Sequence, residues 1–226
     1  EPTQIIFSTT LSNYNGFGVS CNGDSDGTIT ISATGGTGVL TYSLDATNYQ
    51  LSPLFTGLSA GSHTVSYKDA NGCEFDTTIS LTEPGLFSVS HVSSDYNGAD
   101  ISCFGYSDGE IISTDLNGVG PVLYEFNNNG ILNTNSIWDS LSSGVYNIYA
   151  EDLNGCSDLQ IVTLNDPLLL TTSLIIVSND YCNNADGELE IIASGGTGIL
   201  SYNWTSGQNS SIISGLTSGN YECIVS

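Results

Sequence analysis

The chain repeats itself, and no other feature limits its fold so strongly. Acid–proline pairs stand at Glu1-Pro2, Glu83-Pro84 and Asp166-Pro167. Between them the same features recur in the same order. "YNGFGVSC" at 14–21 answers "YNGADISC" at 96–103, and Asp-Gly pairs follow at 26–27, 108–109 and 186–187. "ATGGTGVLTYSL" (33–44) matches "ASGGTGILSYNW" (193–204). The series F-x-x-L-x-x-G-x-H-x-V at 55–65 returns with Trp, Tyr and Ile at 138–148, and again with Ile, Tyr and Cys at 213–223. "KDANGC" (68–73) matches "EDLNGC" (151–156), and the third copy stops before this element. The repeats predict units at 1–83, 84–166 and 167–226, the last truncated at its C-terminal side. The lack of an initiator Met and a final "YECIVS" inside an apparent strand suggest an internal piece of a longer chain.

Within each unit the signals are strands and turns. Ile29, Ile31 and Ala33 alternate with polar residues, as do Leu40, Tyr42 and Leu44, and their counterparts Val122, Tyr124, Phe126 and Leu200, Tyr202, Trp204. Period two puts each set on one face of a strand. Gly, Asn and Asp clusters break these runs at the short intervals of a sandwich, and no segment has a helical period. The expectation is an all-β chain of tandem immunoglobulin-like β-sandwich repeats of about 80 residues, with roughly seven strands each, in an elongated arrangement. Tyr146 and Tyr221 follow L-x-x-G-x ahead of an apolar strand, the position of an Ig tyrosine corner, and His63 stands in for that Tyr in the first unit. His91 has no His counterpart and carries no functional expectation.

Composition narrows the function classes. One Lys, no Arg and 24 acidic residues give a net charge of −23. Nucleic-acid affinity needs cations against phosphates, so that partner class is excluded, and docking on anionic membranes is disfavoured. No apolar run is long enough to insert in a bilayer. The aliphatic and aromatic content suffices for packed cores.

Six cysteines at regular places favour an oxidising compartment. Cys21 and Cys73 stand at the same places in the first repeat as Cys103 and Cys156 in the second, which predicts the disulfides Cys21–Cys73 and Cys103–Cys156. In the third unit Cys182–Cys223 follows the pattern of an Ig bridge; the other choice is a bond from Cys182 to an N-G-C cysteine beyond the truncation. A zinc site is the rival reading, without a C-x-x-C or Cys/His cluster to support it.

Two chemical motifs overlap in "CNGDSDGTITI" (21–31). Gly23-Asp24-Ser25-Asp26-Gly27 matches the G-x-S-x-G of a nucleophile elbow, but an elbow needs a helix after it and here a strand follows. Ala185 also replaces the Ser in the third repeat, so no enzyme is expected. Asn22, Asp24 and Asp26, with Gly27 after them, have the first ligand spacing of a calcium loop. The twelfth position is Ala33 rather than Glu, and the second repeat has Phe104 and Tyr106 at ligand positions. An EF-hand is excluded; a looser calcium site using Asn22, Asp24 and Asp26, helped by Glu83 or Asp166, is weighed against solvated turn acids. No cofactor is required.

The repeated motifs, "YNGADISCFGYSDGEI", "SCNGDSDGTITISATGGTG", "YSLDATNYQ" with F-x-GLSAGSHTV, and "KDANGC", resemble SprB-type repeats of Bacteroidetes surface adhesins. The resemblance covers essentially the whole chain and is strongest in the first two units. It implies export by the type IX secretion system, display as long filaments on the cell surface, and partnership with the gliding machinery and the substratum.

Two function classes follow. In the first the chain is a stalk segment whose partners are the other repeats. In the second each sandwich binds a carbohydrate or protein through exposed loop aromatics, for which Tyr14 and Tyr96 are the candidates. Asp76-Thr77-Thr78 and Asp139-Ser140-Leu141 resemble the D-[ST]-hydrophobic sequence of Bacteroidetes O-glycosylation, with Thr77 and Ser140 as acceptors. The short acid–proline joints predict limited bending between units, locked by calcium if it binds.

Overall fold

The computed structural model describes residues 3–44 and 46–226, so the Glu1-Pro2 mark lies outside the described residues. Every regular element among them is a β-strand. The first repeat holds β1 (Thr3–Leu11), β2 (Gly27–Gly36), β3 (Thr41–Ser43), β4 (Leu54–Leu58), β5 (Gly61–Lys68) and β6 (Glu74–Leu81). The second holds β7 (Ser88–Ser93), β8 (Gly109–Leu116), β9 (Leu123–Phe126), β10 (Ile137–Leu141), β11 (Gly144–Glu151) and β12 (Ser157–Leu164). The third holds β13 (Leu168–Ser178), β14 (Gly187–Gly196), β15 (Tyr202–Trp204), β16 (Ile212–Leu216) and β17 (Cys223–Val225). Among the described residues no helix is long and apolar enough to cross a membrane.

Sheet order repeats as the sequence does. β1-β2-β4 and β3-β5-β6 form the sheets of the first repeat, β7-β8-β10 and β9-β11-β12 those of the second, and β13-β14-β16 and β15-β17 those of the third. This order, with the second strand beside the fourth and the third beside the fifth, is the crossed connection of an Ig-like sandwich. Among the described residues each complete repeat has six strands rather than about seven. Among the described residues, the stretch between β3 and β4 meets the sheets at a bridge between Tyr42 and Gln50 and where Ile31 N donates to Pro53 O at 3.0 Å, and Pro53 has no N–H with which to continue a ladder.

The alternating residues make the cores. In the first repeat Ile29 and Ile31 from β2 meet Tyr42 from β3, Val65 and Tyr67 from β5 and Leu81 from β6, all buried. Both sheets contribute, and each large apolar side chain so buried stabilises by roughly 1.5–3 kcal/mol before entropy is counted. Ile191, Trp204, Ile213 and Leu216 do the same in the third repeat. Two local devices recur. At the corner before the fifth strand, Tyr146 Oη donates to Ser142 O at 2.7 Å and Tyr221 Oη to Thr217 O at 2.8 Å. His63 Nε2 lies 2.8 Å from Ser59 O, where an N–H fills the same role. In the fourth strand a register shift falls at Gly57 and Gly215, with φ of 73° and 74°; Ser140 takes that left-handed position in the second repeat with φ 57°.

By compactness the chain forms two units. One contains residues up to Ser90 with Thr114–Asn135 and Asn147–Gln160; the other contains His91–Ser113, Ser136–Tyr146 and Ile161–Ser226. Each holds the meeting place of two successive repeats.

Candidate functional site at the ends of the repeats

Two kinds of loop define each repeat. The first is the lead-in to the second strand, which carries the Y-N-G and S-C motifs. In the first repeat Tyr14 and Phe17 exchange backbone bonds of 2.8 and 3.2 Å around a tight turn, with Asn15 and Gly16 at positive φ. Tyr14 Oη donates to Asp26 O at 3.3 Å, Ser20 N to Asp26 Oδ1 at 3.0 Å, and Ser20 Oγ to Asp24 Oδ2 at 2.9 Å. Gly23 N donates to Glu83 Oε2 at 2.8 Å, and Asn22 Nδ2 to Pro84 O at 3.1 Å.

The second repeat copies this lead-in. Tyr96 Oη donates to Asp108 O at 3.0 Å and Ser102 N to Asp108 Oδ1 at 3.1 Å, while Ser102 Oγ also bonds Asp108. Gly105 N donates to Asp166 Oδ1 at 3.2 Å, the counterpart of the Glu83 contact. These contacts tune the acids. Burial pushes the Asp26 carboxyl up, but bonds from Ser20 and Tyr14 outweigh it and hold it below the ordinary value of 3.8. Asp108 is lowered chiefly by the Ser102 hydroxyl and amide. Burial raises the Tyr14 phenol, with Asp26 adding to the effect.

The second kind is the D-x-N-G-C loop. Cys73 N and Asn71 N both donate to Asp69 Oδ1 at 2.9 Å, and Thr37 N donates to Asp69 Oδ2 at 3.0 Å. The Cys73 and Thr37 amides lead in holding the Asp69 carboxyl below its ordinary range. In the second repeat Asp152 takes the same bonds from Cys156 N, Asn154 N and Val119 N at 3.0, 2.9 and 2.9 Å. A buried carboxylate accepting three amides fixes the loop that presents Asn154 and Cys156.

These loops meet where repeats follow one another. Asn154 Nδ2 donates to Ser20 O at 3.1 Å and Tyr14 O at 3.3 Å, and its Oδ1 accepts from Asn15 Nδ2 at 2.5 Å. Beside this clamp Cys21 is disulfide-bonded to Cys156, with Cα atoms 5.6 Å apart. In the other unit Thr197 Oγ1 donates to Ser102 O at 3.1 Å, and a side chain at Gly198 would stand 3.3 Å from Asn97 Nδ2. Ser20 and Ser102 are equivalent residues, and each gives its carbonyl to the repeat that follows.

The expected pairings Cys21–Cys73 and Cys103–Cys156 are therefore corrected. Cys73 and Cys103 are exposed free thiols. The reason is the length of a strand. Cys21 precedes β2, whereas the loop of Cys73 is bonded to Thr37 past the end of β2 through Ala70 N and Thr37 O at 2.9 Å. Ten extended residues span about 30 Å, while a disulfide needs Cα atoms within about 7 Å. Cys156 is taken by Cys21 and is not available to Cys103. The expected Cys182–Cys223 bond is also absent. Cys182 is exposed in the loop ahead of β14, whereas Cys223 lies in β17 opposite Trp204 and packs on the third core.

The other predicted residues have defined surroundings. Asn22, Asp24 and Asp26 are engaged by backbone and Ser20, and among the described residues no group of three or more His, Cys, Asp or Glu side chains converges as a cation site. Tyr14 and Tyr96 are half-buried over their own Asp-Gly turns. Thr77 is half-buried in β6 opposite Val65; Ser140 is exposed at the β10 bulge, its Oγ 3.2 Å from Asp139 Oδ1. Sequence reasoning missed Asp69, Asp152 and Asn154. Their signal was present in the shared D-x-N-G-C, since an Asp ahead of Asn-Gly is a side chain that caps its own turn.

Residues 19–48 and 174–209 match the family model described as SprB repeat. No curated protein matches the chain. Among solved structures, three N-terminal domains of the bacteriophage RB49 highly immunogenic outer capsid protein are 14% identical over 88% of this chain and 75% of that one, with TM-score 0.47. The C-terminal 282-residue fragment of intimin, solved with the intimin-binding domain of its translocated receptor, is 14% identical over 76% and 67%, with TM-score 0.36. The N-terminal eight Ig domains of Down syndrome cell adhesion molecule are 10% identical over 90% of this chain and 40% of theirs, with TM-score 0.37. The strand order and the two-sheet cores make each repeat an Ig-like sandwich.

Proposed function

For a chain carrying SprB-type repeats, we propose the role of a non-enzymatic stalk segment in a long cell-surface adhesin, serving surface attachment and gliding motility. The family match supports a cell-surface adhesin-type module. The observation that carries the stalk reading is the joint formed by Cys21–Cys156 and the Asn154 clamp. A joint with a covalent bond and three side-chain hydrogen bonds resists pulling and bending, which is the work of a stalk and not of a ligand site. In this reading the repeats are the tandem units 1–83, 84–166 and 167–226 of a stalk that carries an adhesive tip outside the cell. The acids of the lead-in loop serve the peptide amides beside them; calcium is not needed to stiffen the joint.

Single-molecule stretching, with a panel of glycans and host polysaccharides, tests the proposal. In oxidising buffer the segment between Cys21 and Cys156 stays locked. Reduction releases 135 residues, about 470 Å of extra contour at about 3.5 Å per residue. The stalk reading expects this gain together with no glycan binding. Saturable glycan binding abolished by Tyr14→Ala or Tyr96→Ala overturns it in favour of a binding module. A melting temperature that falls on chelation restores calcium to the joint.

A further inference from the structure

The Cys21–Cys156 bond joins the S-C cysteine of one repeat to the N-G-C cysteine of the next. The second repeat carries the same S-C cysteine, Cys103, in the same lead-in loop, and there it is an exposed thiol. We propose that Cys103 is a covalent attachment site for the N-G-C cysteine of the repeat stacked upon it, so that SprB-type repeats are stapled each to its successor rather than within themselves. The inference stands whether the chain acts as a stalk or as a binding module.

Three independent observations converge on Cys103. First, its loop has the geometry that receives a partner in the first repeat: Ser102 N on Asp108 as Ser20 N is on Asp26, and Tyr96 over Asp108 as Tyr14 is over Asp26. Second, the following repeat is already seated on that loop, because Thr197 Oγ1 donates to Ser102 O as Asn154 Nδ2 donates to Ser20 O. Third, the residues equivalent to Thr197 lie against the N-G-C loop of their own repeats. Thr37 N and O bond Asp69 and Ala70, and Val119 N and O bond Asp152 and Leu153. An N-G-C loop bonded to Thr197 as these loops are bonded to Thr37 and Val119 would therefore face Cys103. Cys73, the exposed thiol of the first repeat's N-G-C loop, has by the same rule no partner within its own repeat.

The chemistry is thiol oxidation. The two Sγ–H groups lose two protons and two electrons as the S–S bond forms, and a small disulfide such as oxidised glutathione takes them up to become two thiols. Thiol–disulfide exchange delivers the bond through a mixed disulfide, for which an exposed Cys103 is accessible.

The full chain, extended after Ser226 by a copy of its own residues 152–165, gives the third repeat the loop and last strand of the second. The extended chain is oxidised with glutathione, its remaining thiols are alkylated, and it is mapped by non-reducing peptide mass spectrometry. The expected map has two cross-linked pairs, Cys21 with Cys156 and Cys103 with the grafted cysteine. Cys103→Ser in the extended chain should leave the grafted cysteine alkylated, and the same substitution in the 226-residue chain should leave melting unchanged. A grafted cysteine bonded to Cys182 or Cys223, or Cys103 alkylated while Cys21–Cys156 forms, overturns the proposal. A map of Cys21–Cys73 and Cys103–Cys156 overturns it together with the joint itself.

Discussion

The lead-in loops of the first and second repeats share a sequence, a turn and an acid, yet one cysteine is bonded and the other is free. Around Cys21 the successor repeat supplies both a clamp, Asn154, and a thiol, Cys156. Around Cys103 the successor supplies a weaker clamp, Thr197, and among the described residues no thiol. The loop is the same; what it meets differs. A cysteine's fate in a tandem protein is thus a property of the joint, and the repeat alone does not contain it.

The largest test of this contrast is removal of the bond. Cys156→Ser should destabilise the chain by up to about 5 kcal/mol, the chain-entropy figure for so long a loop. Cys103→Ser should leave stability unchanged within the error of a thermal or urea melt. Equal effects of the two would break the comparison. The next test removes the clamps. Asn154→Ala should cost about 2 kcal/mol, because it strips bonds from the Ser20 and Tyr14 carbonyls, while Thr197→Ala, with one hydrogen bond at stake, should cost about 1 kcal/mol. Both are read by urea unfolding under oxidising conditions.

A smaller effect separates the second repeat from its neighbours. Ser140 sits in a left-handed conformation where the other repeats have Gly57 and Gly215. Ser140→Gly should therefore raise stability by up to about 1 kcal/mol, with no change in the disulfide map.

The last test is acid. Asp26, Asp69 and Asp108 have folded pKa values below their ordinary value of 3.8, so their charged forms are favoured by folding. Their contribution is present above about pH 4 and is lost as pH falls through the folded pKa. Neutralising other acids in a chain of charge −23 relieves repulsion over the same range, so variants must be compared with the parent. The stability gap between parent and Asp69→Asn should be present at pH 7 and shrink toward pH 3. A gap that stays constant would mean that Asp69 does not act through its charge.

Much of the fold was legible. Ile29, Ile31, Tyr42 and Trp204 were placed in cores by alternation alone, and all four are buried. The corner was legible from Tyr146 and Tyr221, and His63 proved to occupy its place. The strand count was not, because the stretch after Tyr42 mixes turn residues with strand formers such as Tyr49 and Leu51. The joint was legible only in part. The N-G-C motif was visible, but Asp152 and Asn154 read as ordinary turn residues, since composition does not say whether a turn faces water or the next repeat.

The sequence by itself determined the repeat, the all-β character, the alternating faces of the core strands and which cysteines are equivalent. These follow from local rules: period two along a strand, glycine at positive φ, asparagine and aspartate in turns. Only the tertiary structure decided which equivalent cysteines join. Matched places in two repeats favoured a bond within each repeat, but the strand between Cys21 and the Cys73 loop holds them about 30 Å apart. Stacking the next repeat brings Cys156 within 5.6 Å of Cys21, Cα to Cα. A disulfide is governed by distance in space, and in a tandem sandwich the nearest cysteine belongs to the neighbour.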